Sequence, residues 1–223
     1  MPRERYQDSL DELRSDVLAM GDQVVEQFER SLEAVEHRDE SLARSVAEGD
    51  DAVNETYLRL EDRCVDLFAL QQPVAGDLRF VTASFKITTD LERIGDLAVN
   101  LADYLRTASR TLSPEVQLDA IGEAARSLVE RSLAAYEAED AAACRAVAAD
   151  DDEVDALCQR ASESVTRDLI AGSDGDGWEV ERLLDDVSRV LLTIRDLERV
   201  ADHAVNIAAR TLYMIEGDPE LLY

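Results

Sequence analysis

The stretch Asp90-Leu91-Glu92-Arg93-Ile94-Gly95-Asp96-Leu97-Ala98-Val99-Asn100-Leu101-Ala102 returns near the C-terminus. There it reads Asp196-Leu197-Glu198-Arg199-Val200-Ala201-Asp202-His203-Ala204-Val205-Asn206-Ile207-Ala208, with nine of thirteen positions identical and an offset of 106. Upstream, an offset of 101 pairs Gly21 with Gly122, Leu32 with Leu133, Asp51 with Asp152 and Val53 with Val154. The offset changes around Gln71–Gly76 and Gly172–Glu179, and the Gly/Ser/Asp run at 172–177 reads as a longer loop. The chain is therefore two copies of one unit, residues 1–112 and 113–223.

Each copy reads as three helices. Leu10, Leu13, Val17, Met20, Val24, Phe28, Leu32 and Val35 advance in steps of three and four. So do Val53, Tyr57, Leu60, Cys64 and Leu67, then Ile87, Leu91, Ile94, Ala98, Leu101 and Leu105. The second copy repeats the seams from Leu118, Val154 and Val187. These are heptad-like stripes, so the expected fold is all-α: two pseudo-symmetric, elongated three-helix bundles side by side. Pro73 is expected to stop the second helix, and Ser113-Pro114 to cap and begin the fourth. The acidic runs at 50–51 and 150–152 read as charge near a helix start or tight connection.

Composition narrows the function. Acidic residues number 50 and basic ones 23 among 223, a net charge of −27. That excludes a phosphate backbone as ligand, so no nucleic acid is expected. It also opposes docking on anionic lipid. No apolar run reaches membrane-spanning length and no signal core follows Met1, so a cytoplasmic location is expected. Cys64, Cys144 and Cys158 form no C-x-x-C pair and read as buried reduced thiols. The cations are 22 arginines and one lysine, Lys86. With the acid excess, this suits a salty cytoplasm, where the Debye length falls to about 3 Å at 1 M salt. We expect the melting temperature to rise from dilute to molar salt.

The third helix of each copy carries a carboxylate pair at i, i+4: Glu92 with Asp96, and Glu198 with Asp202. That spacing puts both on one face about 5–6 Å apart, and Asn100 and Asn206 extend the row. Two readings stay open. Arg93 and Arg199 stand i, i+3 from Asp96 and Asp202 and can neutralise the repulsion as exposed ion pairs. Alternatively the oxygens hold a cation such as iron, manganese, magnesium or calcium inside the bundle. Asp51 with Asn54, and Asp152 with Asp155, are secondary candidates on the second helix of each copy. His203 replaces Leu97 and reads as packing or solvent-edge; His37 reads as exposed. Phosphate-cradling glycine loops, nucleophile elbows and the Glu-x-x-His pairs of di-iron bundles are absent from the sequence.

The segments Gln72-Pro73-Val74-Ala75-Gly76-Asp77-Leu78-Arg79, Asp90 to Asp96 and Glu198 to Ala208 strongly resemble the PhoU family of phosphate-transport regulators. The resemblance covers nearly the whole chain. It implies a cytoplasmic, homodimeric negative modulator of phosphate uptake and starvation signalling. Such proteins contact the ATPase subunit of a phosphate ABC transporter and, in many bacteria, a sensor kinase. They are not enzymes in themselves. Some carry multinuclear metal clusters on E-x-x-x-D motifs, here Glu92, Asp96, Glu198 and Asp202, so iron, zinc, manganese or magnesium enters as a cofactor expectation. Two departures stand out: Val200-Ala201 replaces the Ile-Gly of the first copy, and Ala209 stands where relatives often have Glu.

The expected mechanism is conformational: the adaptor docks on the ATPase when phosphate is ample. No basic pocket is evident in the sequence, so direct phosphate binding is not expected unless a bound metal supplies the positive charge. One rival is a metal-dependent oxidase or hydrolase using the same carboxylates. Another is a plain helical scaffold with solvated acidic faces.

Overall fold

The computed structural model describes residues 2–70, 75–107, 116–171 and 177–221. Six helices follow in order: α1 (Pro2–His37), α2 (Glu40–Leu70), α3 (Ala75–Thr107), α4 (Leu118–Ala138), α5 (Ala141–Ala171) and α6 (Gly177–Glu216). The described residues include no strand. Helices α1–α3 pack on one another, and α4–α6 do the same. The two bundles meet through α3 against α6 and α1 against α4, while α2 and α5 touch only their own bundles. None of the described helices is long and apolar enough to cross a membrane.

The seams read from the sequence form the core. Leu13, Val17, Met20 and Val24 of α1 are fully buried, as are Ile87, Leu91, Ile94 and Leu101 of α3, and Val200, Ala204 and Ile207 of α6. Truncating one such leucine to alanine costs roughly 2–5 kcal/mol. The three cysteines are buried and free. The Leu105 side chain and the Pro73 and Ser113-Pro114 signals lie outside the described residues.

Helix α4 begins four residues beyond the expected Pro114 start. Gln117 is its N-cap, and Val116 and Ile121 are both buried in the same core cluster. Those two stand at the positions of a hydrophobic staple, which sets the helix start by burial rather than by proline. The acidic runs at 50–51 and 150–152 lie within α2 and α5, not at their starts. The starts belong to Asp39 and Asp140. Asp39 Oδ1 accepts from the Ser41 and Leu42 amides at 2.9 and 3.0 Å; Asp140 Oδ1 accepts from Ala142 and Ala143 at the same two distances. Before each cap stands a left-handed residue, Arg38 (φ 52°) or Glu139 (φ 51°). The amides of Asp39 and Asp140 then close back on the carbonyls of Ala34 and Ala135. The two turns are copies down to their hydrogen bonds.

The junction of α1 with α4 is reciprocal. A Cβ on Gly21 would lie 2.7 Å from Leu133 Cδ1, and a Cβ on Gly122 would lie 2.5 Å from Leu32 Cδ2. The pairs that align in sequence thus interlock in space, as two-fold related contacts must. This pseudo-two-fold relation sets the two acidic rows in equivalent places.

Candidate functional site

In the first repeat, Glu92 and Asp96 lie on the face of α3 that meets α2. The Glu92 side chain is 18% exposed and that of Asp96 41%, so the row runs from half-buried to solvent. Arg93 bridges them, with Nε 3.4 Å from Glu92 Oε2 and Nη1 3.1 Å from Asp96 Oδ2. The facing carboxylate on α2 is Asp50, while Asp51 is exposed. Asp50 is clamped: Gln27 Nε2 donates to Oδ1 at 3.2 Å and Asn54 Nδ2 to Oδ2 at 2.8 Å. Gly95 makes room for that clamp, since a Cβ there would approach Gln27 Oε1 to 3.2 Å. Burial raises the Glu92 pKa, and the Asp96 and Asp50 charges add to it, against Arg93 and His203. Asn100 extends the row into solvent.

The second repeat keeps the acids and loses the clamp. Asp151 occupies the place of Asp50, but the counterparts of Gln27 and Asn54 are Leu128 and Asp155. Asp151 Oδ1 is shut from solvent with no hydrogen-bond partner. Burial, then the charges of Asp155, Asp202, Asp152 and Glu198, push its carboxyl up to about 6. Glu198 and Asp202 are also raised, by burial first and then by Asp155. The arginine bridge expected from Arg199 to Asp202 does not form. Arg199 Nη1 stands instead 3.5 Å from Asp196 Oδ1, drawn to a carboxylate that is fully buried. Asp152 is exposed, and Asn206 is half-buried. Ala201, 1% exposed, stands at the counterpart of Gly95. Ala209 is 1% exposed, so a glutamate there would place its charge in the core.

Between the two rows lies a link that sequence reading missed. Asp90 of α3 is buried and bound twice by α6: its Oδ1 lies 3.0 Å from His203 Nδ1, and its Oδ2 accepts from Arg210 Nε at 2.7 Å. His203 also lowers the carboxyl pKa values of Glu92 and Asp202, placing it between the two acidic rows. In the symmetric arrangement Asp196 of α6 meets Tyr104 of α3, whose phenol is raised by burial and then by that charge. Tyr104 is the counterpart of Arg210. The duplicated Asp at the head of each quoted stretch was the available signal. It went unused because an aspartate on an apolar seam carries no mark of its cross-helix partner.

Among the described residues, no three His, Cys, Asp or Glu side chains converge as they stand on one metal-binding point. The chemistry of the second-repeat donors nevertheless fits a hard cation. Their oxygens are several, mutually repelling, and include a buried one without a donor. The first repeat fits less well, because amides and Arg93 already satisfy it.

Residues 17–105 and 118–211 each match the family model of the PhoU domain. The chain belongs to the PhoU family. A phosphate-specific transport system accessory protein PhoU homolog of Clostridium acetobutylicum is 31% identical over 220 residues, covering 97% of each chain. Homolog 1 of Methanothermobacter thermautotrophicus is 30% identical, covering 96% of this chain and 95% of that protein. The crystal structure of PhoU from Pseudomonas aeruginosa matches with a TM-score of 0.83 at 30% identity, over 96% of this chain and all of that one. The phosphate transport system regulatory protein PhoU of Streptococcus pneumoniae gives 0.86 at 27% identity, over 96% and 98%. The six-helix tandem repeat read from the sequence is thus the PhoU architecture.

Proposed function

We propose that this PhoU-family chain is a negative regulator of phosphate uptake that works by docking on the ATPase subunit of a phosphate transporter. The observation that carries the reading is that both repeats match the PhoU domain and that relatives aligned end to end are named accessory proteins of phosphate transport. We place it in the cytoplasm because the ATPase of such a transporter faces that compartment, and the family resemblance suggests a homodimer. A sensor kinase is a second partner the family resemblance suggests. No catalytic role is assigned: the rows offer carboxylates without an adjacent nucleophile.

In this reading the second-repeat acids Asp151, Asp155, Glu198 and Asp202 hold a cation, with Glu92 and Asp96 a weaker counterpart. Iron, zinc, manganese or magnesium would supply positive charge that lets these carboxylates ionise together. The chain's own part is to supply oxygen donors and to keep His203 and Asp90 between the rows.

Two measurements test this separately. The transporter ATPase should be retained by the wild-type chain in a pull-down at molar salt; no retention with or without phosphate would sink the docking reading. Elemental analysis of protein purified without chelator should find metal in the wild type and lose most of it in Glu198→Gln/Asp202→Asn. Equal, negligible metal in both would remove the cation and leave the docking intact.

A further inference from the structure

A recess of about 320 Å3 lies in the groove between α3 and α6, lined by Thr82, Ala83, Lys86, Arg210 and Tyr213. Among the described residues its lining contains no carboxylate, on a chain that carries 50 of them. Lys86, the one lysine of the sequence, faces it. Among the described residues Lys86 makes no ion pair or hydrogen bond. Arg210 contributes a second cation. Among the described residues it spends only its Nε–H on Asp90 and its other N–H donors meet no acceptor. Tyr213 adds a hydroxyl, and Arg79, one turn before Thr82 on α3, keeps a third positive charge nearby through its Nε–H to the Met214 carbonyl at 3.5 Å. The recess is thus rich in donors and poor in acceptors, which is the chemistry of an anion site. The sequence concealed it, because Arg79, Lys86 and Arg210 come together only when α3 and α6 pair antiparallel.

The repeat supplies a control for this reading. The positions symmetric to Arg79, Thr82, Lys86 and Arg210 are Asp185, Ser188, Leu192 and Tyr104. The cationic set is therefore no by-product of the duplicated scaffold; it exists on one side only. The net charge of −27 does not forbid an anion here. At about 1 M salt, fields fade within about 3 Å, so the charges lining the recess decide what enters. Its volume exceeds that of a bare oxyanion and leaves space for water or for the organic part of an ester.

We propose that this recess binds a phosphate-class oxyanion, either inorganic phosphate or a phosphate monoester, between Lys86 and Arg210. The choice of phosphate rests on the regulatory reading above; the anion chemistry rests on the lining. A ligand on the other N–H groups of Arg210 shares the guanidinium with Asp90, which also holds His203.

The test is calorimetric titration of the full chain at molar potassium chloride with inorganic phosphate and, separately, glycerol 3-phosphate. We expect saturable binding of at least one of them, and the tighter one identifies the source. Lys86→Gln should weaken it roughly tenfold, while Lys86→Arg should keep most of it and Arg59→Gln, the same charge change at an exposed position of α2, should keep all of it. Because Lys86 is exposed, these variants should fold normally. Absence of saturable binding by both ligands, or equal affinity in Lys86→Gln, overturns the proposal. If the ATPase is still retained in the pull-down when neither ligand binds, the recess fails while the regulatory reading stands.

Discussion

At Asp50 both carboxylate oxygens receive amide hydrogens, from Gln27 and Asn54. At Asp151, its counterpart, the same two places hold Leu128 and Asp155. Two substitutions thus separate a satisfied carboxylate from one that is half-buried, has one oxygen without a partner and is pushed up to about 6. Around it the second repeat keeps the acids of the first and adds Asp155. What differs is the donors, and donors decide whether a cluster of acids is quiet or demands a cation. The lesson extends to Asp90 and Asp196. Duplication copied both, yet Asp90 is held by His203 and Arg210, whereas Asp196 has the Tyr104 phenol beside it and Arg195 and Arg199 no nearer than 3.5 Å.

The comparison breaks most visibly at those seam aspartates. Asp90→Asn strands Arg210 and should cost about 3 kcal/mol of unfolding free energy. Asp196→Asn should change stability little or raise it, and equal losses in denaturant titration would erase the asymmetry. Next in size is conversion of the first centre into the second. Gln27→Leu with Asn54→Asp removes both donors from Asp50 and should cost about 2 kcal/mol at neutral pH, read by the same titration.

The reverse conversion is smaller and depends on pH. The Asp151 pKa is raised from 3.8 to about 6, so folding disfavours its ionised form. Its contribution is therefore fully present below about pH 3.8 and lost as pH rises through about 6. Asp151→Asn, made without added metal, should stabilise the chain by about 1 kcal/mol at pH 7, discounted for its partial exposure. Below pH 4 the gain should vanish, as melting curves across that range would record. Smallest is Arg93→Gln, which unbridges Glu92 and Asp96. These pairs are exposed, so the cost should stay within about 0.5 kcal/mol in thermal unfolding at low salt.

The fold was open to reading because helical periodicity and an internal repeat both survive as patterns in one dimension. The seam from Leu10 to Phe28 and its partners needed no knowledge of neighbours. The carboxylate row Glu92–Asp96 was legible for the same reason, since both members sit on one helix. Everything that depended on a second helix was hidden. Asp50 rather than Asp51 faces Glu92 because of how α2 is rotated, and that rotation is set by core packing along its whole length. The clamp needed Gln27 of α1, the buried aspartate needed Arg210 of α6, and the basic recess needed both α3 and α6. Helix starts were misplaced where burial, at Val116, or a side-chain cap, at Asp39 and Asp140, outweighed the acidic and proline signals.

The glycine–leucine exchange at the α1–α4 crossing carries one more implication. Each half offers the other the same peg and the same socket, so alignment of the halves is written in their surfaces and not in the peptide that joins them. A chain severed between Thr107 and Val116 would therefore yield two fragments with matched faces, able to reassemble by complementation. By the same logic, a single half whose peg fits its own socket describes an ancestor that worked as a pair of separate chains.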